Sequence, residues 1–300
     1  MIRLALLILL VGNGCASAPL HAAESTVDID TAARIYQAAD MREQVRASLG
    51  AMPAQIRKLF TADTSAKLSD SQFAAVSAAA VRGFRIDVFE APALQALANH
   101  LDTVTVKKTQ EFLASDVGLR MVRADLTLAN LGEENIDKVM NGQISVASTP
   151  KRDALVDGLE RATHSAESTV QIFLSMGQAV AVGTAIGSGM DPVAAEQRAQ
   201  KSSEVSRAEL QENMRLPMRR FMAYGYRDLS DSDLKRVLAF MESTTGTRYI
   251  AAYNASMGAG FEAMGRRTGE QLGESWRELA QVQVAPVPSM APPSSLTPNP

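Results

Sequence analysis

The sequence predicts an all-α protein in which two homologous multi-helix units pack together, followed by a disordered, proline-rich C-terminal tail. Sustained alternation of apolar and polar residues, the mark of a strand, is nearly absent, and aromatic residues make up only 5% of the chain. Residues that favour helices, such as alanine, leucine, glutamine, glutamate, arginine and methionine, are abundant. The phrase F-x-x-S-x-x-G-x-R occurs twice, which indicates that one helical unit has been repeated.

Residues 1–23 are predicted to be a signal peptide. Arg3 precedes an apolar run from Leu4 to Val11, and small residues follow as far as Ala23. This order is typical of secretory signals. The apolar run is far shorter than the roughly 20 residues that a membrane-spanning helix needs. No later stretch predicts a transmembrane segment, so we expect a periplasmic protein.

Cys15 leaves a second processing route open. It is the only cysteine, and with Gly12 to Gly14 before it the stretch resembles a lipoprotein cleavage site. Lipid attachment at Cys15 would tether the chain to a membrane, whereas cleavage before Ala23 would release it. The intact mass of the mature protein distinguishes the two. Either route leaves no cysteine downstream, so no internal disulfide is expected.

The charge balance argues against a nucleic-acid partner. The chain has 30 basic and 33 acidic residues. Arg3 is the only charged residue among the first 23, so the mature chain has 29 basic and 33 acidic residues and a net charge of -4. A nucleic-acid-binding protein would instead carry a basic surplus clustered on one surface.

Helix starts are marked by capping residues, several of which stand before a proline or an acidic residue. In chain order they are Ser69, Thr149, Asp191 and Ser230. Apolar stripes with a helical period follow. One runs from Met41 to Phe60, with a kink expected at Pro53. A second consists of Tyr249, Tyr253, Met257, Phe261 and Met264, and is expected to continue through Leu272, Trp276 and Leu279.

Residues 281–300 predict the disordered tail. They contain no charged residue and six of the twelve prolines in the chain. Such a composition has little apolar surface to bury and few backbone donors, so it does not form a packed core.

The two halves of the chain align without gaps over 32 residues. When residues 101–132 are laid over 229–260, eight positions are identical, among them Gly132 with Gly260. We interpret the match as a duplication, with unit 1 at 24–148 and unit 2 at 149–280.

The repeated phrase is interpreted as a corner between two helices. Phe112 ends one helix as an apolar anchor, and Ser115 caps the next. Gly118 allows another helix or ring to approach closely, and Arg120 begins the polar face. The second copy consists of Phe240, Ser243, Gly246 and Arg248. A nucleophilic serine is the alternative, but no histidine or acid stands at related offsets in both copies.

These residues resemble the family called domain of unknown function 2059. Leu101 to Asp125 and Leu229 to Tyr253 both carry the Phe, Ser, Gly and Arg of its F-x-x-S-x-x-G-x-[KR] corner. The resemblance covers about 60 residues around each corner. It implies an all-helical, exported bacterial protein that contains two tandem copies of the family domain. It implies no activity and transfers no functional residue.

The remaining candidates favour packing over chemistry. His100 and His164 lack the spacing of metal ligands, so no metal and no cofactor are expected. Met214, Met218 and Met222 predict a buried stripe, with Cu(I) or a pliable partner surface as the alternatives. Close helix packing is predicted at Gly183 and Gly187.

The function that these patterns favour is a non-catalytic periplasmic binding or interaction module. Its partner would be an unknown periplasmic protein or an apolar small molecule. A carrier of an apolar ligand or lipid is the first alternative. A hydrolase without a recognisable motif is the second.

Overall fold

The computed structural model describes residues 26–50, 70–202 and 207–284. Within these ranges it contains thirteen α-helices and no β-strand, which confirms the all-α prediction. The signal peptide with Cys15, the predicted kink at Pro53 and residues 285–300 lie outside the described residues. The helices are α1 (Ile29–Ala38), α2 (Met41–Gly50), α3 (Asp70–Gly83), α4 (Ile86–His100), α5 (Thr103–Leu113), α6 (Asp116–Ala129), α7 (Glu133–Met140), α8 (Pro150–Thr163), α9 (Ser165–Gly187), α10 (Pro192–Ser202), α11 (Arg207–Gly225), α12 (Asp231–Met241) and α13 (Thr244–Val284).

Several helices begin where a short polar side chain caps their free backbone N–H groups. Thr149 accepts from the N–H of Arg152, and Asp191 accepts from two N–H groups at the start of α10. Ser230 opens α12 with a full capping box. The caps predicted at these three positions are therefore present, while Ser69 lies outside the described residues.

Helix α13 is the longest element, with 41 residues, and most of the fold is arranged along it. Helices α3, α4, α5 and α9 all pack on it. The predicted stripe from Tyr249 to Met264 is buried in these contacts. The helix continues through Gln281 to Val284, so these four residues, which were predicted to belong to the tail, are helical.

One hydrophobic core runs through both predicted units. Phe89 and Leu113 from the first belong to the same cluster as Leu159 and Phe261 from the second. The methionine stripe on α11 lies in this core, because Met214, Met218 and Met222 are each no more than 7% exposed. The division into units at 149 stays a prediction.

Helices α9 and α13 run side by side in the same direction. The direction follows because the contacting residues occur in the same order along both helices. Gly265 lies over Met176, Gly269 over Val180 and Gly273 over Thr184. Helix α9 ends at Gly187, beside Gly273 of α13, and α13 continues alone beyond that point.

The contact between α9 and α13 is made by backbone on backbone. A Cβ atom added at Gly183 would lie 2.1 Å from the carbonyl oxygen of Arg266, and one at Gly187 would lie 2.2 Å from that of Glu270. A Cβ added at Gly269 would lie 2.1 Å from the oxygen of Val180. No real side chain tolerates such distances, so glycine is required. The close packing predicted at Gly183 and Gly187 is therefore found.

Helix α9 is apolar along much of its length. Among the described residues it is the one helix long and apolar enough to cross a membrane, with 23 residues and a mean hydropathy of 1.4 over its best window. A core helix has the same properties, and 39% of that window is buried inside the fold. The sequence predicted no transmembrane segment, and α9 is the one described helix that by length and composition could form one. Its glycines lie against α13.

We expect Gly269→Ala to destabilise the protein, because the new methyl group would force the two backbones apart. Overpacking of this kind typically costs ~1 to 3 kcal/mol. Gly258→Ala on the same helix is the matched control, since nothing lies within 4 Å of its added Cβ. That variant should gain about 0.5 to 1 kcal/mol from helix propensity. Urea unfolding measures the free energy of unfolding of both variants. Equal values would contradict the close backbone contact at Gly269.

Candidate functional site

The two copies of the repeated phrase have the same local structure. Ser115 accepts a hydrogen bond from the N–H of Gly118 at 3.1 Å and donates to the carbonyl oxygen of Phe112 at 2.6 Å. Ser243 does the same at 3.0 Å and 2.6 Å in the second copy. Each hydroxyl therefore caps the helix that follows and closes the turn that precedes it.

The glycine of each corner makes the turn tight. A Cβ atom at Gly118 would lie 2.1 Å from the carbonyl oxygen of Phe112, and one at Gly246 would lie 2.0 Å from that of Phe240. The sequence predicted that another helix or ring would approach this position. The close contact is instead with the carbonyl group of the same corner, because the chain reverses so sharply between the two helices.

The two corners meet face to face. The rings of Phe112 and Phe240 are parallel to within 3°, with their centroids 3.8 Å apart. The sequence predicted each phenylalanine as an anchor of its own corner and gave no sign that the two would stack. The repeated phrase therefore joins the first half of the fold to the second.

The repeated arginines cross between the halves in a reciprocal manner. Arg120 on α6 donates to Asp233 at the start of α12 at 2.7 Å, and Arg248 on α13 donates to Asp102, the N-cap of α5. The Ser230 hydroxyl and Arg120 lower the pKa of Asp233. Burial alone would raise the pKa of Asp102, but hydrogen bonds from Thr105 and Arg248 outweigh it and lower the pKa. Both carboxylates thus stay ionised and hold the arginines.

The corners carry no catalytic arrangement in the part of the chain that the structure describes. Both serine hydroxyls use their hydrogen bonds on backbone groups. His100 and His164 are exposed, and His164 has a positive φ of 47° in the turn between α8 and α9. The same described residues contain no group of three or more His, Cys, Asp or Glu side chains that could hold a metal ion.

A small internal cavity lies behind the corners. Helix α6 faces α13 across it, and methionines and tyrosines make up much of its wall. Lining residues include Met121, Asp125, Met218, Met222, Tyr226, Met241, Tyr249 and Tyr253. Its volume of about 30 Å³ has room for a few water molecules at most, against roughly 300–1,000 Å³ for small-ligand sites. The cavity is therefore too small for an apolar ligand.

Among the described residues, Asp125 is the one carboxylate in the wall of this cavity. Burial raises its pKa to about 7, although the hydroxyl of Tyr226 donates to it at 2.9 Å. Asp125 is not among the candidate residues predicted from the sequence. Its signal is a lone acid on the apolar face of α6, four residues after Met121 and three after Val122.

An open groove lies at the other end of α13, where α9 ends. Its floor is the C-terminal part of α9, and α10 forms one wall and Trp276 on α13 the other. The lining residues are Ala181, Thr184, Ala185, Ser188, Gly189, Met190, Ala195, Arg198, Ala199 and Trp276. Its volume is about 810 Å³, which lies within the usual range of small-ligand sites.

Trp276 was expected to continue the buried stripe of α13, and that expectation is wrong. The side chain is 45% exposed at the edge of the groove. The stripe fails there because α9, which covers α13 as far as Gly273, ends at Gly187. Tryptophan is among the residue types that are enriched at the energetic centres of binding surfaces.

Comparisons of the chain with protein-family models, with curated proteins and with solved structures found no match. The resemblance to the domain of unknown function 2059 family therefore stays a prediction from the corner residues.

We expect Gly118→Val and Gly246→Val to destabilise the fold by at least ~1 to 3 kcal/mol, because each side chain would collide with the carbonyl oxygen of its corner. Ser243→Ala removes only a cap and should cost ~0.5 to 2 kcal/mol. Denaturant midpoints of the three variants measure these effects. Glycine variants that unfold like the wild type would show that the corner does not require glycine.

We expect Asp125→Asn to stabilise the protein increasingly as the pH rises. The folded pKa of about 7 lies above the ordinary value of 3.8, so ionisation opposes folding. The cost grows as the pH rises from about 4 to 7 and is constant above that, reaching up to about 4 kcal/mol. Urea unfolding of the variant and the wild type at pH 4, 6 and 8 gives the difference.

Asp87→Asn is the control for this effect. Arg85 lowers the pKa of Asp87 on the surface, so removing that carboxylate should act with the opposite sign. A difference between Asp125→Asn and wild type that does not change with pH would show that Asp125 is not held in a desolvated site.

Proposed function

We propose that the chain is a non-catalytic, exported binding module and that the groove between α9, α10 and α13 is its binding surface. The observation that carries the proposal is the groove itself, with about 810 Å³ of space beside an exposed tryptophan. The internal cavity has less than a tenth of this volume. The groove is therefore the place where an apolar group of another molecule fits.

The chemistry of the chain supports binding over catalysis. A hydrolase would need an activated nucleophile. The repeated serines, which are the nucleophiles that the sequence offers, instead serve as helix caps at both corners. The groove adds hydroxyl groups and one arginine, and none of the described residues that line it is a histidine, a cysteine or a carboxylate.

The place of action that we propose is the periplasm. Its support is the order of residues in the first 23 positions, with lipid attachment through Cys15 as the alternative. We further propose that the two halves derive from a duplication. The support is that both corners combine the same cap, the same tight glycine and an arginine that crosses to the other half.

The test uses Trp276, because it is the only tryptophan in the chain and so reports on the groove alone. We expect the neutral apolar dye N-phenyl-1-naphthylamine to bind saturably and to quench the fluorescence of Trp276. Ala181→Phe should abolish this binding, since Ala181 is exposed and lines the groove.

Ala194→Phe is the matched control, because Ala194 is an exposed alanine on α10 outside the groove lining. It should bind the dye like the wild type. Thermal unfolding of each variant checks that it is folded. Absence of saturable quenching in the wild type, or equal binding by Ala181→Phe, would refute the groove as the binding surface.

A further inference from the structure

Among the described residues that line the groove, one side chain is charged. Arg198 on α10 is exposed, and within the described part of the chain no carboxylate pairs with it. The acid one half-turn before it, Glu196, is engaged by Arg266 of α13 at 2.6 Å. Among the residues that the structure describes, the positive charge of Arg198 therefore has no carboxylate partner at the groove.

Arg198 and Trp276 lie toward opposite ends of the groove. Trp276 is one turn beyond Gly273, which meets Thr184 and Ser188, so the indole stands at the end of α9. Glu196 of α10 pairs with Arg266, whose carbonyl oxygen lies against Gly183 of α9. Helix α10 therefore turns back along α9, which places Arg198 toward the Ala181 end. Seven helical residues separate Ala181 from Ser188, a length of roughly 10 Å.

We propose that the groove binds a single-chain amphiphile with an anionic head group. This inference rests on the proposed function and names the ligand class for the same groove. The apolar chain lies on the floor of small α9 residues and reaches the face of Trp276. The carboxylate or phosphate head group pairs with Arg198, whose guanidinium forms two hydrogen bonds with either group.

The charge of the head group distinguishes this ligand class from the other molecules that could fill the groove. A cationic amphiphile would be repelled by Arg198, and a neutral one would gain nothing from it. A partner protein that inserts an apolar side chain would fill the groove without needing a charge at its end. The preference for an anion is therefore the property to measure.

The experiment titrates the fluorescence of Trp276 in the full chain at low ionic strength. Four probes share a twelve-carbon chain and are used as monomers: dodecanoate, dodecyl phosphate, dodecanol and dodecyltrimethylammonium. The two anions should bind about threefold to tenfold more tightly than dodecanol, as expected for one partly exposed charge pair. Which anion binds more tightly distinguishes a fatty acid from a phosphate-headed lysolipid as the source.

Arg198→Gln should reduce the affinity for both anions to that for dodecanol and leave dodecanol binding unchanged. Arg123→Gln, an exposed arginine on α6 outside the groove, is the matched control and should behave like the wild type. Because Arg198 is on the surface, the variant should keep its thermal stability.

Three results would each overturn the proposal of an anionic amphiphile. They are equal affinity for dodecanol and the anions, binding of the cation as tight as that of the anions, and unchanged anion binding by Arg198→Gln. Binding of N-phenyl-1-naphthylamine with no charge preference would leave the proposed function standing and would fit a partner protein. If neither the dye nor any probe changes the fluorescence of Trp276, the amphiphile and the proposed function both fail.

Discussion

The rest of the structure depends on the direct backbone contact between α9 and α13. Glycines on both helices remove the side chains that would separate them, so the two axes come closer than side-chain packing allows. Because the helices are parallel and their contact is fixed at one-turn intervals, the point where α9 ends relative to α13 is also fixed. The groove lies at that point, with its floor from one helix and its tryptophan wall from the other. A change in the register of this pair would move Trp276 away from the groove.

The repeated corners have a different role, which is to join the two halves near the opposite end of α13. Each corner uses its serine and glycine locally and its phenylalanine and arginine across the interface. The stacked rings bury apolar surface, while the partly exposed ion pairs add specificity of orientation more than free energy. The repeated phrase therefore has two structural roles. Its serine and glycine shape each turn, and its phenylalanine and arginine align one turn against the other.

The sequence predicted what depends on neighbours along the chain. Helical periodicity, the caps at Thr149, Asp191 and Ser230, and the corner at Ser115 are local properties, and the structure contains all of them. Contacts between distant segments left no comparable signal. The Phe112–Phe240 stack, the crossing arginines and the burial of Asp125 each require two helices to be placed in space first. The exposure of Trp276 depends on where α9 ends, and the spacing of apolar residues along α13 contains no information about that point.

Identity between the two aligned segments does not always mean identity of role, and the differences between them explain why one half has the groove. Gly132 has a positive φ of 79° and precedes α7, whereas its aligned partner Gly260 lies within α13 against the ring of Phe89. The helix after the first corner ends at Ala129, while the helix after the second continues to Val284. Only the longer helix extends far enough to pair with α9 and to pass beyond its end. The corner is common to both halves, and the groove arises from the residues that one half has in addition.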